Sequence, residues 1–418
     1  MSNNPLFTGP RLFQNVTFHR HTDRSVGWLE LFYDLVYVAT LIQIGNFLSD
    51  NLTLEGFGQF LVMMFVVWWS WTGETFYQNR FVVDDLLHRI MVFIQMFAVA
   101  TLGLSVSGAF GDLYVQFTLA YVVIRVVLVL MYVRIMLHPD GESDDLCRGY
   151  ATGFSLGILI WLGSLLLPED IHWVGWLVAI AVEFFTPLTP KLRRMQQVIG
   201  VDHHHLSERF GIFTIIVLGE SFVKILDDAQ GTQISIDTMA FSTVGLLVVY
   251  SLWWLYFSDT TETVVNYQSA LKPIMFIYGH FPLSVGLVAF GVAAKKAFAE
   301  AAAHPTDYLK EEYRILYMVS IVAYLIAVAL IDYGTEPEGE TENFPRIGFR
   351  VVGAVLVLCI GLFMTGATAT GFVSLIASVM VAQVLFSIWG ARRDTEGTHG
   401  RGHHAGSGEG EVSTIVGD

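Results

Sequence analysis

The hydrophobic positions of the chain form about twelve long runs, separated by short polar connections. A helix that crosses about 30 Å of hydrocarbon needs about 20 mostly apolar residues. Scanning with that requirement predicts spans at 27–49, 56–78, 84–106, 113–136, 149–167, 171–188, 206–227, 237–258, 271–295, 313–333, 347–365 and 369–390. The pattern therefore predicts an all-α fold, a polytopic transmembrane helix bundle of about twelve spans.

Composition agrees with a membrane protein. Of the 418 residues, 54% are hydrophobic and 15% are charged, and the mean hydropathy is +0.55, so the chain is more apolar than a soluble domain. The lipid bilayer is its expected partner. The net charge of -15 comes mainly from connections such as "GESDD" (141–145), and it argues against binding nucleic acid. Adaptation to a salty cytoplasm is another explanation of this acidity.

Basic residues are concentrated on the side of the N-terminus. That side carries Arg11, Arg20, Arg24, Arg80, Arg134, Arg148, Lys191, Arg193, Arg194, Lys272, Arg346, Arg392, Arg393 and Arg401. The other side carries chiefly Lys295, Lys296, Lys310 and Arg314. Because cytoplasmic loops retain Lys and Arg, both termini are predicted to be cytoplasmic. Residues 1–26 lack the apolar core of a cleavable signal peptide, so the first span is expected to be retained.

The same pattern divides the chain into five segments. We predict a cytoplasmic N-terminal segment (1–26), a first membrane half (27–188), a cytoplasmic linker (189–205), a second membrane half (206–390) and a disordered cytoplasmic tail (391–418).

The two halves show a faint correspondence. Setting Glu208 beneath Glu30 aligns Phe210 with Phe32, and His88 and His280 each open the third span of their half. The pattern favours two parallel six-helix repeats, as in some transporters. The alternative is that hydrophobic helices resemble one another without common descent.

Four ordered motifs point to a known family. They are "WLELFYDLVYVA" (28–39), "NRFVVDDLLHR" (79–89), "HLSERFGIFTIIVLGES" (205–221) and "GHFPLSVGLVAFG" (279–291). Together they resemble the low temperature requirement A (LtrA) family of prokaryotic membrane proteins, over about residues 25–390. The resemblance implies a multi-span inner-membrane protein, tied by name to growth in the cold. It implies no reaction and no cofactor.

Two carboxylates interrupt the first span. Glu30 and Asp34 are four residues apart, so they share one helical face and both point into the bundle. A charge near the centre of a span costs about 2.5–3.5 kcal/mol, and two neighbouring carboxylates need a cation or a proton. One hypothesis is a proton or cation site. The other is a structural clamp in which Arg89 or Arg209 neutralises the pair.

Further charges lie at the same predicted cytoplasmic depth. We predict that Glu30, Asp34, Glu74, Arg89, Glu208 and Arg209 line one vestibule that opens to the cytoplasm.

Three polar residues lie deeper. Arg125 and Glu220 are near the centres of their spans, and His280 is about one turn nearer the cytoplasm. Since an arginine keeps its charge in a protein, Arg125 needs an anion. We predict that it pairs with Glu220, either at a central substrate or ion site or as a buried packing pair. His280 is interpreted as a proton relay or as a histidine hydrogen-bonded to a neighbour.

Other chemistry finds little support. With Cys147 and Cys359 as the only cysteines, a disulfide framework or a cysteine zinc site is not expected. No nucleotide-binding or hydrolase motif is present, and the sequence predicts no cofactor, no metal and no catalytic residue. The leading hypothesis is a secondary transporter or ion-coupled permease for an unknown small molecule or ion. The alternatives are a membrane enzyme, a stress- or cold-linked sensor, or a structural membrane protein with charge clamps. The sequence does not indicate an oligomeric state.

Overall fold

The computed structural model is almost entirely helical. It describes residues 17–18, 25–137, 143–168, 171–229, 236–260, 263–265, 271–337 and 344–402. Within them lie thirteen α-helices: α1 Trp28–Asp50, α2 Leu54–Arg80, α3 Leu86–Leu104, α4 Tyr114–Met136, α5 Asp144–Ser164, α6 His172–Phe185, α7 Pro190–Val198, α8 His203–Ala229, α9 Ile236–Thr260, α10 Lys272–Ala303, α11 Glu311–Gly334, α12 Phe344–Phe363 and α13 Ala369–Gly402. The predicted all-α fold is confirmed.

Short strands tie the connections together. β1 (Thr17–Phe18) pairs antiparallel with β2 (Phe81–Val82), directly after α2. β3 (Thr263–Val265) pairs antiparallel with β4 (Thr335–Pro337). Each pair joins parts of the chain that are distant in sequence.

Each of the twelve predicted spans lies on one helix. The structure adds α7, a nine-residue helix within the linker predicted at 189–205, which begins at Pro190, a residue suited to the first helical turn. The last helix runs to Gly402, into the segment predicted as a disordered tail. Residues 403–418, and the predicted cytoplasmic Arg11, Arg20 and Arg24, lie outside the described residues.

Eight of the described helices are long and apolar enough to cross a membrane by themselves, namely α1, α3, α4, α9, α10, α11, α12 and α13. A ninth span is possible if α6 and α7, bent by 49° at a short break, act together. The others include α2 and α8, whose hydropathy is lowered by side chains such as Glu74 and Arg209 that face the interior. A bundle of about twelve spans stays a prediction.

The outer surface of the bundle is apolar. On α3, Ile90, Phe93, Ile94 and Phe97 are 46%, 51%, 45% and 76% exposed, and their spacing puts them on one helical face. Charged side chains such as Asp34, Glu74 and Arg125 are instead buried. Apolar residues outside and polar residues inside fit a protein surrounded by lipid, where charges face the bundle interior.

The two halves share an order of packing. In the first half α1 packs on α3, α3 on α4, α4 on α5 and α5 on α6; in the second, α8 packs on α10, α10 on α11, α11 on α12 and α12 on α13. The histidines used to align the halves are not equivalent, however. His88 lies in the first turn of α3, whereas His280 lies eight residues after the first residue of α10.

Candidate functional site

A buried ion pair joins α1 to α8. The Arg209 guanidinium donates through Nη2 to Asp34 Oδ1 at 2.7 Å, and its Nη1 lies 3.7 Å from Glu30 Oε1. Trp71 Nε1 on α2 donates to the same Asp34 oxygen at 2.6 Å. Asp34 and Arg209 are fully buried. Of the two arginines predicted to neutralise the carboxylates, the structure places Arg209 there.

The network continues through α2 into the bundle. Arg209 Nη1 donates to Gln78 Oε1 at 2.9 Å, and Gln78 Nε2 donates to Glu74 Oε1 at 3.0 Å. The other Glu74 oxygen accepts from Gln95 Nε2 on α3 at 3.1 Å. Glu74 and Gln95 are fully buried. A continuous row of polar side chains therefore leads from Glu30 to Gln95.

The start of α8 closes this network at one end of the bundle. Asp202 caps the helix, since its Oδ1 accepts from the His205 backbone N–H at 3.1 Å. His205 Nε2 lies 3.3 Å from Glu30 Oε2, and its Nδ1 lies 3.2 Å from Asn79 Nδ2. We call this end, where α2 ends and α8 begins, the α7 end.

Among the described residues, the carboxyls of this network outnumber its permanent cations. It contains the carboxyls of Glu30, Asp34 and Glu74, and one permanent cation, Arg209, makes contact with two of them. The Glu74 carboxyl accepts its hydrogen bonds from the amides of Gln78 and Gln95. Ionised carboxylates buried together need a matching cation or a proton. The arrangement can therefore hold a proton.

A second buried pair lies between α4 and α6. Arg125 Nε is 2.8 Å from Glu183 Oε2, and Tyr121 Oη donates to the same carboxylate oxygen at 2.7 Å. Both charged side chains are fully buried. A Cβ at Gly73 would lie 2.7 Å from Arg125 Nη1, and one at Gly157 2.7 Å from Glu183 Oε1. Two glycines thus make room for this pair.

The predicted pairing of Arg125 with Glu220 is wrong, because Arg125 is held by Glu183. Glu220 lies on α8 with Lys224, beside a narrow gap of about 10 Å³ whose wall includes Val38 and Val288. A carboxylate four residues before a lysine shares its helical face. The two residues proposed for one central site therefore belong to different parts of the bundle.

The predicted vestibule is only partly assembled. Glu30, Asp34, Glu74 and Arg209 come together in the buried network described above. Arg89 instead pairs with Asp84 at 2.8 Å, where the two side chains are 41% and 65% exposed. Glu208 is partly buried, and its Oε2 is a buried atom without a hydrogen-bond partner.

His280 is buried and has contacts on both ring nitrogens. Its Nδ1 lies 2.7 Å from the Phe276 carbonyl oxygen, to which it donates, so Nε2 accepts from Tyr256 Oη at 2.9 Å. This assignment follows from the carbonyl, which has no proton to give. The arrangement matches the interpretation of a histidine hydrogen-bonded to its neighbours.

A cavity of about 520 Å³ lies at the α7 end, on the other side of α2. One face of α2 forms its wall, with Trp69, Thr72, Gly73, Phe76 and Arg80. The opposite face carries Trp71, Glu74 and Gln78 into the network. The 3.6-residue period of a helix produces this division, so α2 separates the cavity from the network.

Sequence reasoning missed several of these residues. Glu183 and the buried pair Asp332–Arg350 (3.8 Å) are charges inside predicted spans, and a scan of every such charge would have found them. Gln78 and Gln95 are neutral and give no comparable signal. Arg80 was counted among the cytoplasmic basic residues because the predicted span ended at 78.

These features define an integral, multi-pass membrane protein. The family profile described as Bacterial low temperature requirement A protein (LtrA) matches residues 25–389. The chain belongs to this family, as its motifs indicated. It is also similar to an uncharacterized protein of Rhizobium meliloti (strain 1021), with 26% identity over 283 residues that cover 64% of this chain and 68% of that relative. No solved structure matches.

Proposed function

We propose that the protein is a proton-coupled secondary transporter, in which the network of α1, α2, α3 and α8 carries the proton. Glu74 is the proposed proton-binding residue. Its carboxyl is completely buried and is held by Gln78 and Gln95. Both donors to Glu74 are neutral amides, whereas Asp34 is bonded to the Arg209 guanidinium. A neutral donor holds the ionised form of a carboxyl less strongly than a charged one, which distinguishes Glu74 from Asp34. This single observation supports the proposal best.

The row of side chains from His205 to Glu74 supports a route for the proton. His205 and Glu30 are in contact and can exchange a proton. Arg209 and Gln78 lie between Glu30 and Glu74 and keep their own protons, so they would order the water that carries the proton onward. Chains of ionisable side chains inside a membrane bundle are typical of proton relays. Short movements of these side chains or ordered water would complete the path.

A structural clamp is the second candidate role, and it is favoured for one pair. Asp34 has a direct contact with Arg209 at 2.7 Å and a second donor in Trp71. We assign that pair to holding α1, α2 and α8 together. Asp34 and Glu74 therefore have different roles, although the sequence presents both as intramembrane carboxylates.

The parallel order of helix packing supports two six-helix repeats in this transporter. In such folds, alternating access arises when one unit moves against the other around a site between them. The polar network joins helices of both halves, since Arg209 belongs to α8 and Asp34 to α1.

We expect Glu74→Gln to remove a titrating carboxyl from the folded protein. Infrared spectra of reconstituted protein, recorded across a pH titration, should show a protonated-carboxyl band whose pH-dependent part is lost in this variant, because an amide has no proton to exchange. Substrate-driven proton uptake into proteoliposomes should be lost with it. The matched control is Glu55→Gln, an exposed glutamate of the same helix.

An unchanged titrating band in Glu74→Gln would contradict the assignment of Glu74. A band lost equally in Glu55→Gln would show that the signal comes from the surface.

The arrangement in the membrane is tested by reporter fusions. Both termini are proposed to be cytoplasmic and the spans to number twelve, because Lys and Arg are concentrated on one side. Reporters placed after residue 110 and within 228–236 should report the outside, and one at the C-terminus the cytoplasm. A cytoplasmic signal from either of the first two, or an external one from the third, would reject this topology.

A further inference from the structure

Arg80 differs from the other buried arginines of the described chain. Arg125, Arg209, Arg314 and Arg350 each have a carboxylate oxygen within 4 Å. Arg80 is 4% exposed, and its Nε and Nη1 are buried atoms without a hydrogen-bond partner. A guanidinium cannot lose its charge, so a buried one without an anion is costly. This side chain lacks the partner that its chemistry requires.

Aromatic rings hold the Arg80 guanidinium at the wall of the cavity. Its central carbon lies 5.3 Å from the ring centroid of Phe76 and 5.6 Å from that of Tyr150. These cation–π contacts offset part of the cost of burial. They supply no oxygen acceptor, so the Nε–H and Nη1–H donors of Arg80 are left for a ligand.

The rest of the cavity fits a ligand with an anionic and an apolar part. Arg193 and His203 also line it, and no Asp or Glu is present among the described lining residues. Six lining residues are aromatic: Trp69, Phe76, Tyr132, Tyr150, Phe154 and Tyr278. Its volume of about 520 Å³ is larger than a simple inorganic anion needs and lies within the range of small-molecule pockets.

The lining is held in place by contacts of its own. Tyr150 accepts a hydrogen bond from Gln196 Nε2 at 2.9 Å, and its ring stacks on Tyr132 at 5.2 Å. A pocket built before its ligand arrives loses less free energy on binding.

We infer that this cavity binds a small organic anion, with its carboxylate or phosphate on Arg80 and its apolar part among the aromatic rings. The inference rests on the proposed function only where it identifies the bound anion as the transported substrate. Binding itself is independent of transport. The same chemistry is found in a soluble aromatic acid and in an anionic lipid headgroup, so the experiment includes both.

The probes are benzoate, phenyl phosphate, short-chain phosphatidylglycerol and the neutral benzamide. Binding to detergent-purified full-length protein is followed by the fluorescence of Trp69, after subtraction of a Trp69→Phe reference, and by thermal stabilisation. We expect benzoate or phenyl phosphate to bind and benzamide not to. Arg80→Gln should weaken binding at least about tenfold, as expected for loss of a charge-assisted hydrogen bond. Arg194→Gln, an exposed arginine of α7 outside the cavity lining, is the charge-matched control.

A second variant keeps the test valid if Arg80→Gln does not fold. Gly200 lines the cavity, and nothing lies within 4 Å of a Cβ built there. Gly200→Trp should therefore fold and block binding. Gly163→Trp, where a Cβ also meets nothing within 4 Å but which does not line the cavity, should leave binding unchanged.

The outcomes separate the hypotheses. Binding of phosphatidylglycerol alone, lost in Arg80→Gln, would support the anion site and assign it to a lipid headgroup. Equal binding of benzamide and benzoate, or full affinity in both Arg80→Gln and Gly200→Trp, would overturn the inference. Anion binding without a titrating Glu74 would leave this site standing and reject the proposed proton coupling.

Discussion

Replacing Glu183 by glutamine is expected to destabilise the folded protein by about 3–5 kcal/mol, the range for breaking a buried ion pair. The Arg125 guanidinium would then be buried without a carboxylate, since Glu183 is its partner at 2.8 Å. Arg125→Met should cost less, because a stranded carboxyl can take up a proton whereas a guanidinium cannot release one. The measurement is the free energy of unfolding by SDS titration in mixed micelles.

A double-mutant cycle tests the pair directly. Arg125→Met combined with Glu183→Gln should cost less than the sum of the two single changes. The control combines Arg125→Met with Glu220→Gln, whose effects should add because Glu220 lies in another part of the bundle. Additivity in the first cycle would show that Arg125 and Glu183 are not coupled.

Replacing Arg209 by methionine is expected to have a similarly large effect, again about 3–5 kcal/mol. Arg209 is a permanent cation that contacts Asp34 and Glu30, so its loss removes the guanidinium from beside two buried carboxylates. The cost should become smaller as the pH is lowered, because these carboxyls can then bind protons. Unfolding of the variant and of the unmodified protein, measured across a pH series, provides the check.

The exposed pair Arg89–Asp84 provides the matched control. Its contact distance of 2.8 Å is almost the same, but the side chains are 41% and 65% exposed. Arg89→Met should therefore cost at most about 1 kcal/mol, as surface pairs do. Arg209→Met with no larger effect than this control, or with no dependence on pH, would remove Arg209 from the proposed role.

The positions of the helices could be predicted from the sequence because a bilayer imposes a strong and uniform requirement. Each span needs a long apolar run, and each predicted run corresponds to a helix. The short helix α7 was missed because it is polar, and its signal is only a proline followed by a few helix-forming residues.

The site was less predictable, because it depends on which helix faces which. Glu30, Asp34 and Arg209 lie together, as the hypothesis of a structural clamp requires. Arg125 could not be assigned correctly from depth alone, since Glu183 and Glu220 both lie within predicted spans. Arg80 shows the same limit: the sequence places it near a helix end, and only packing shows that it is buried between aromatic rings.

The two-sided character of α2 has a thermodynamic consequence for the proposed transporter. Trp69, Gly73 and Arg80 face the cavity from α2, and the opposite face of the same helix carries Glu74 and Gln78. A tilt or rotation of α2 would therefore change the cavity and the surroundings of Glu74 together. Linkage then requires reciprocity: the factor by which protonation changes affinity for the anion equals the factor by which the anion changes affinity for the proton. A measurement of either factor alone would therefore give the coupling free energy between anion binding and proton binding.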